Sequence, residues 1–153
     1  MIKVNIIAVG SIKENFYTEA ISEYSKRMSR YAQVNIIEVQ EDAQEKSISK
    51  KIDKESEKLD KVLRGYVILL DRQGELISSE KLAETIDKCQ TEGVSEISFI
   101  IGGSNGVNEA LKSRANKVIS FGKITFPHQL FRVVLMEQIY RAFTINNNLP
   151  YHK

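Results

Sequence analysis

The sequence predicts an α/β protein: one domain over residues 1–153, built on a mostly parallel sheet with helices on both faces. Three observations predict it. Short runs of β-branched and apolar residues alternate with stretches of helical periodicity, in the pattern β-α-β-α-β-α-β-α-β-α. No repeat of fixed period and no proline-rich linker divides the chain. Three of the runs end in turns rich in glycine or polar residues, "LLDRQG" at 69–74, "IIGGSNG" at 100–106 and "SFGKITFPH" at 120–128. Sheets of this class bind ligands outside the carboxyl ends of their strands.

The elements follow in order. "IKVNIIAVG" is rich in β-branched residues and stops at Gly10, as a first strand should. Tyr17, Ala20, Ile21, Tyr24, Met28 and Tyr31 then recur at helical spacing among polar residues, and "VNIIEV" gives a second strand. Residues 44–64 are dense in Lys, Glu, Ser and Asp. Their thin stripe of Ile48, Ile52, Leu59 and Leu63 suits a partly exposed helix. "YVILLD" is the third strand, closed by the turn "DRQGE", and "SSEKLAETIDKCQ" is a helix capped by Ser78 or Ser79. "EISFIIGG" is the fourth strand, "VNEALKSRAN" a modest helix and "KVISFG" the fifth strand.

The last helix is entered through Pro127, whose missing N–H costs nothing in a first turn. It is apolar on nearly every side, with Leu130, Phe131, Val133, Val134, Leu135, Met136, Ile139, Tyr140 and Phe143. An exposed helix would show one apolar stripe, so this one must be covered on more than one face.

Composition bounds the function. A chain of 153 residues, 42% hydrophobic and 27% charged, holds a proper core. The net charge of +2 would not by itself hold a long nucleic acid against salt, so an RNA partner would need shape or a docking surface as well. A single cysteine, Cys89, excludes an internal disulfide, and within a helix it reads as a small core residue. No run approaches the roughly 20 apolar residues of a membrane span, and the opening run, broken by Asn5, is too short for a signal peptide. A cytoplasmic location is expected.

Gly102, Gly103, Gly106 and Gly122 let main-chain groups approach a ligand without an intervening Cβ. Any one such loop reads as ordinary turn chemistry; three in one sheet suggest a main-chain cradle. "GGSNG" lacks G-x-G-x-x-G spacing and "GKIT" lacks the rest of a P-loop, which disfavours nucleoside triphosphate hydrolysis. With only His128 and His152, and neither C-x-x-C nor H-E-x-x-H, no metal site is expected. No G-x-S-x-G marks a serine hydrolase.

His128 sits at the positive end of the last helix, where it meets either a ligand or a neighbouring backbone group, the structural role being the favoured reading. Glu137 and Arg141, four apart, suit an ion pair, whereas Arg132 points to another side and is free to meet a partner. The terminal "NNNLPYHK" either frays or brings Tyr151 and His152 to stack on and deprotonate a base.

Taken in order, "AVG", "LLDRQGELISSEKLA", "FIIGGSNG", "SFGKITFPHQLFRVVLMEQIYRAF" and "PYHK" resemble the small SPOUT-class methyltransferases that modify N3 of a pseudouridine in 23S ribosomal RNA. The resemblance covers essentially the whole chain. It implies a C-terminal trefoil knot, a homodimer and S-adenosyl-L-methionine as cofactor. It also implies the assembled ribosome as substrate. A sister subunit would then cover one side of the last helix.

By position, the resemblance implies cofactor contacts from Leu70, Gly102, Phe121, Gly122, Lys123, Ile124, Thr125 and Phe126, with Gly103 beside them. It also implies a tail close to the methyl group, in its own or the partner's pocket. The catalytic residues expected on that basis are His152, or a water it holds, as base, Tyr151 to orient the ring, and Arg132 to fix a phosphate or carbonyl. Two other readings stay open: a non-catalytic ribosome-binding factor, and a methyltransferase with another substrate.

Overall fold

The computed structural model describes residues 1–153. Five strands, β1 Ile2–Val9, β2 Ala32–Val39, β3 Tyr66–Leu76, β4 Glu96–Ile101 and β5 Lys117–Ser120, form one sheet in the order β2-β1-β4-β3-β5, with every pair parallel. Between and after them come α1 Asn15–Met28, α2 Ile48–Lys61, α3 Ser79–Thr91, α4 Glu109–Arg114 and α5 His128–Asn146.

Alternation along each strand builds two cores. Ile6, Ile68, Leu70, Phe99 and Ile101 face Leu82 and Ile86 of α3 and Leu135, Met136, Ile139 and Phe143 of α5. Ile7, Val67, Leu69 and Ile100 face the other way, against Leu59 and Leu63 and against Leu111 of α4. Burial on both faces is why the central strands read as unbroken apolar runs. The polar break in β1 is satisfied rather than exposed. Buried Asn5 donates to Glu96 Oε2 (2.7 Å) and Ser98 Oγ (3.3 Å) and accepts from Asn35 Nδ2 (3.0 Å).

Helix α5 packs on both α1 and α3. Leu135, Met136, Ile139, Ala142 and Phe143 are buried, and Tyr31, just beyond α1, stacks on Phe143 with ring centroids 5.7 Å apart. The opposite stripe of Leu130, Val133 and Val134 is only half-buried. Pro127 is the residue before the helix rather than its first turn, and α3 is capped by Ser78, whose Oγ accepts the Lys81 N–H at 3.0 Å. No helix is long and apolar enough to cross a membrane.

One expectation needs correction. The third strand does not stop at the "DRQG" turn but runs to Leu76. Leu70 lies opposite Ile119, and after a bulge Glu75 lies opposite the same Ile119. Gly74 makes this passage feasible, because a Cβ there would sit 2.8 Å from the Ile119 backbone.

Candidate active site

β4, β3 and β5 are neighbours in the sheet, so the three turns singled out in the sequence open side by side. Register puts Leu70 opposite both Ile101 and Ile119, and these three line a cleft of about 500 Å³. Gly102 and Gly103 line it from β4, and Phe121, Gly122, Ile124, Thr125 and Phe126 from the segment after β5. Lys123, expected among them, is exposed and does not line the cleft.

Local chemistry explains both turns. Gly103 O accepts the Gly106 N–H at 3.0 Å, and Gly106 takes a φ of +83° that an L side chain rarely adopts. Ser120 Oγ accepts the Gly122 N–H at 3.0 Å and so bends the chain just past β5. Phe131 lies 5.5 Å from the Phe121 ring centroid and 5.9 Å from that of Phe126, completing an aromatic wall. Across the cleft, Arg72 Nη1 donates to Thr125 Oγ1 at 2.5 Å.

Several lining residues were not named as cofactor contacts: Asp71, Arg72 and Gln73 in the bulge, and Lys112, Ser120 and His128 beyond it. Asp71, Arg72 and Gln73 stand within the quoted "LLDRQG" and Ser120 and His128 within "SFGKITFPH", so adjacency was the available signal for all but Lys112. Lys112 lies 3.5 Å from Asp71. Burial works to lower its pKa, but the Asp71 and Glu109 carboxylates outweigh this and the net shift is upward, keeping a cation at the wall.

The charged segment 44–64, from which no function could be read, supports the glycine turn from behind. Ser56 Oγ accepts the Asn108 N–H (3.0 Å), and Asn108 Nδ2 donates to Asp53 Oδ1 (3.1 Å). Glu55 is buried; its Oε2 accepts the Asp42 N–H at 3.1 Å. Its Oε1 has no partner and fills the place where a Cβ on Gly103 would come within 2.5 Å of it.

A second cleft of about 690 Å³ lies along the ends of β1 and β2 and shares Gly103, Ser104 and His128 with the first. His128, read as structural, thus stands in the wall between the two. Arg132 departs further from expectation. It is 2% exposed, with Nη1 on Glu38 Oε2 (2.5 Å) and Nη2 on Val9 O (3.2 Å) and Gly10 O (2.8 Å). Its side of α5 is the buried one, shared with Leu135 and Met136, so the guanidinium ties the helix to two strand ends instead of reaching outward.

The tail folds back on α5. Tyr151 donates to Glu137 Oε1 (2.9 Å), and Arg141 pairs with the same carboxylate (2.7 Å) while its guanidinium carbon lies 4.7 Å from the Tyr151 ring centroid. Arg141 Nη1 lies 3.1 Å from His152 Nδ1, and His152 Nε2 lies 2.5 Å from Glu80 Oε1. Burial, and then the bond to Glu137, pushes the Tyr151 phenol above its ordinary pKa; Glu137 raises Arg141 in the same way. Neither Tyr151 nor His152 lines either cleft of its own chain. Nowhere do three or more His, Cys, Asp or Glu side chains group to hold a metal ion.

Comparison with known proteins gives consistent results. The model of a family described as "Predicted SPOUT methyltransferase" matches residues 2–152. The chain is 50% identical to the ribosomal RNA large subunit methyltransferase H of Clostridium botulinum, covering 98% of this chain and 99% of that protein. It is 46% identical to the protein of the same name from Caldicellulosiruptor saccharolyticus, with the same coverage. Among solved structures, a probable methylase family protein from Haemophilus influenzae shares the fold at a TM-score of 0.55 and 12% identity, over 100% of this chain and 72% of that one. With a family match spanning nearly every residue and relatives this similar end to end, the chain belongs to the SPOUT methyltransferase family, in the group of the ribosomal RNA large subunit methyltransferases H.

Proposed function

We propose that the protein is an S-adenosyl-L-methionine-dependent methyltransferase of the large-subunit ribosomal RNA, acting in the cytoplasm on N3 of a pseudouridine in the assembled ribosome. What carries the reading is the main-chain cleft at three adjacent strand ends, in a chain that aligns end to end with enzymes named for ribosomal RNA methylation. A single domain over residues 1–153 carries the activity.

The cleft suits this cofactor. About 500 Å³ falls in the range of small-molecule sites, apolar and aromatic walls accept an adenine ring, and the open backbone of the two turns offers hydrogen bonds to its edges. Leu70, Gly102, Gly103, Phe121, Gly122, Ile124, Thr125 and Phe126 would hold it, with Lys123 at the outer margin. When bound, S-adenosylmethionine would supply there an electrophilic methyl group on a positively charged sulfur, with a neutral thioether as the leaving group. The chain's own part is to position the acceptor and exclude water, and positioning alone can supply much of the rate. Tyr151 orients the acceptor ring, His152 acts on its imide group, and Arg132 contributes by bracing the wall of the second cleft.

A homodimer fits this assignment. The half-buried stripe of Leu130, Val133 and Val134 runs along α5 into Glu137 and Arg141, which hold the tail. A tail that does not line its own cleft would complete the partner's, so each site would draw on two chains. The family reading also threads the C-terminal segment as a trefoil knot. Pulled from both ends, a knotted chain stops short of its full extended length, whereas an unknotted one reaches it.

Mass spectrometry of ribosomal RNA from cells lacking the protein tests the function. Loss of one N3-methylpseudouridine, restored when the purified protein and cofactor are added to those ribosomes, is the expected result. An unchanged modification pattern would overturn the assignment.

A further inference from the structure

The hydrogen-bond partners of His152 decide which of its ring nitrogens carries the proton. Arginine has N–H donors and no acceptor, so Nδ1, facing Arg141 Nη1 at 3.1 Å, must accept through its lone pair. In the neutral ring the proton then sits on Nε2, which lies 2.5 Å from Oε1 of Glu80, an acceptor. Protonating Nδ1 would set N–H against N–H and place a second cation beside a guanidinium already fixed by Glu137 and stacked on Tyr151.

Two groups meet the ring, Glu80 from the first turn of α3 and Arg141 from α5, and behind Arg141 stand Glu137 and Tyr151, which hold its guanidinium. The Glu80 side chain is 65% exposed, where water competes for its carboxylate. Arg141, opposing it, is 24% exposed. With Nδ1 accepting from Arg141, the ring offers an N–H at Nε2 and has no free lone pair.

This geometry rests on the reading above, that the tail meets the acceptor ring, and it changes what the tail does there. We propose that His152 serves as a hydrogen-bond donor to a carbonyl oxygen of the acceptor imide rather than as a proton acceptor, and that Arg141 is the positioning residue that fixes the required tautomer. An imide that loses its N3 proton spreads the charge over its two flanking carbonyl oxygens. A donor held against one of them would stabilise that anion as the nitrogen–carbon bond forms, while the proton leaves to water. On the acceptor, Nε2 would exchange the Glu80 carboxylate for the imide oxygen. Being an exposed partner, Glu80 is readily displaced.

Two substitutions separate donor from base. His152→Gln keeps an N–H donor on a side chain of similar reach but is no base, whereas His152→Ala has neither. On assembled ribosomes, kcat should stay within about tenfold of the unaltered enzyme for His152→Gln and fall by about 100-fold or more for His152→Ala, the usual effect of losing an aimed donor. Equal, large losses in both would overturn the donor role. Full activity in His152→Ala would instead remove the tail from the chemistry and sink the broader reading.

A measurement independent of turnover uses the imidazole nitrogen chemical shifts of the full-length protein labelled at histidine. There are only two histidines to assign. His152 should show a single Nε2–H tautomer at neutral pH. Arg141→Leu should convert it to a mixture, and Arg141→Lys, which keeps a donor, should preserve it. A ring protonated at Nδ1 in the unaltered protein would overturn the proposal.

Discussion

Arg132 joins three parts of the molecule through one side chain: the start of α5, the carbonyl ends of β1 and the Glu38 carboxylate of β2. A lysine could keep the charge but not the fork that reaches Glu38 and the two carbonyls together. Arg132→Lys should therefore destabilise the fold by about 2 kcal/mol, within the range for a weakened buried charge contact. Thermal unfolding should record this as a fall of about 5 °C in Tm for a chain of this size; an unchanged Tm would mean that the two carbonyl contacts contribute little. Helical spacing could place Arg132 on a different side from Glu137 and Arg141. It could not say which side meets the sheet, because the almost uniformly apolar surface of α5 offers no polar face to mark solvent. Gly102 carries a related lesson. A Cβ there would meet Val107 Cγ1 at 2.8 Å, so Gly102→Val would distort the turn itself and could not report on cofactor contact alone.

At the level of elements, α2 supports a turn to which it contributes no lining residue. Ser56→Val would leave the Asn108 N–H without its acceptor, costing about 1–2 kcal/mol at a part-buried site. Its effect should extend to the cleft: calorimetry with S-adenosylmethionine should show affinity weakened several-fold. Undiminished affinity would separate α2 from the site. The strands and helices themselves were legible, because β-branched runs and apolar periodicity report local burial. The support role was not. Glu55 and Ser56 are buried, yet among the lysines and glutamates of 44–64 they look like part of a solvated face. The bulge in β3 was hidden for a related reason: "DRQG" has the composition of a turn, and only the backbone of β5 beside Gly74 shows that the chain rejoins the sheet.

For the molecule as a whole, alternation of strands and helices announced a parallel sheet but not the order of its strands. The candidate site depends on that order, since the three turns form one cleft only because β4, β3 and β5 are neighbours. A homodimer seated on the half-buried stripe of α5 should sediment as a dimer at micromolar concentration, and Val134→Asp should release monomers by putting a charge into an apolar contact. An unaltered protein that sediments as a monomer would leave the tail with no partner cleft to complete.

The bulge at 71–74 has a mechanical consequence. Before it, β3 is paired with β5 at Leu70; after it, pairing resumes at Glu75, and the Ile77 N–H donates to Ser120 O at 3.1 Å. Held like a footbridge on two abutments, this side of the cleft cannot swing. A ligand coming or going must therefore rely on the opposite bank, residues 121–127, where Ile124 stands 75% exposed and only Arg72 reaches across to Thr125.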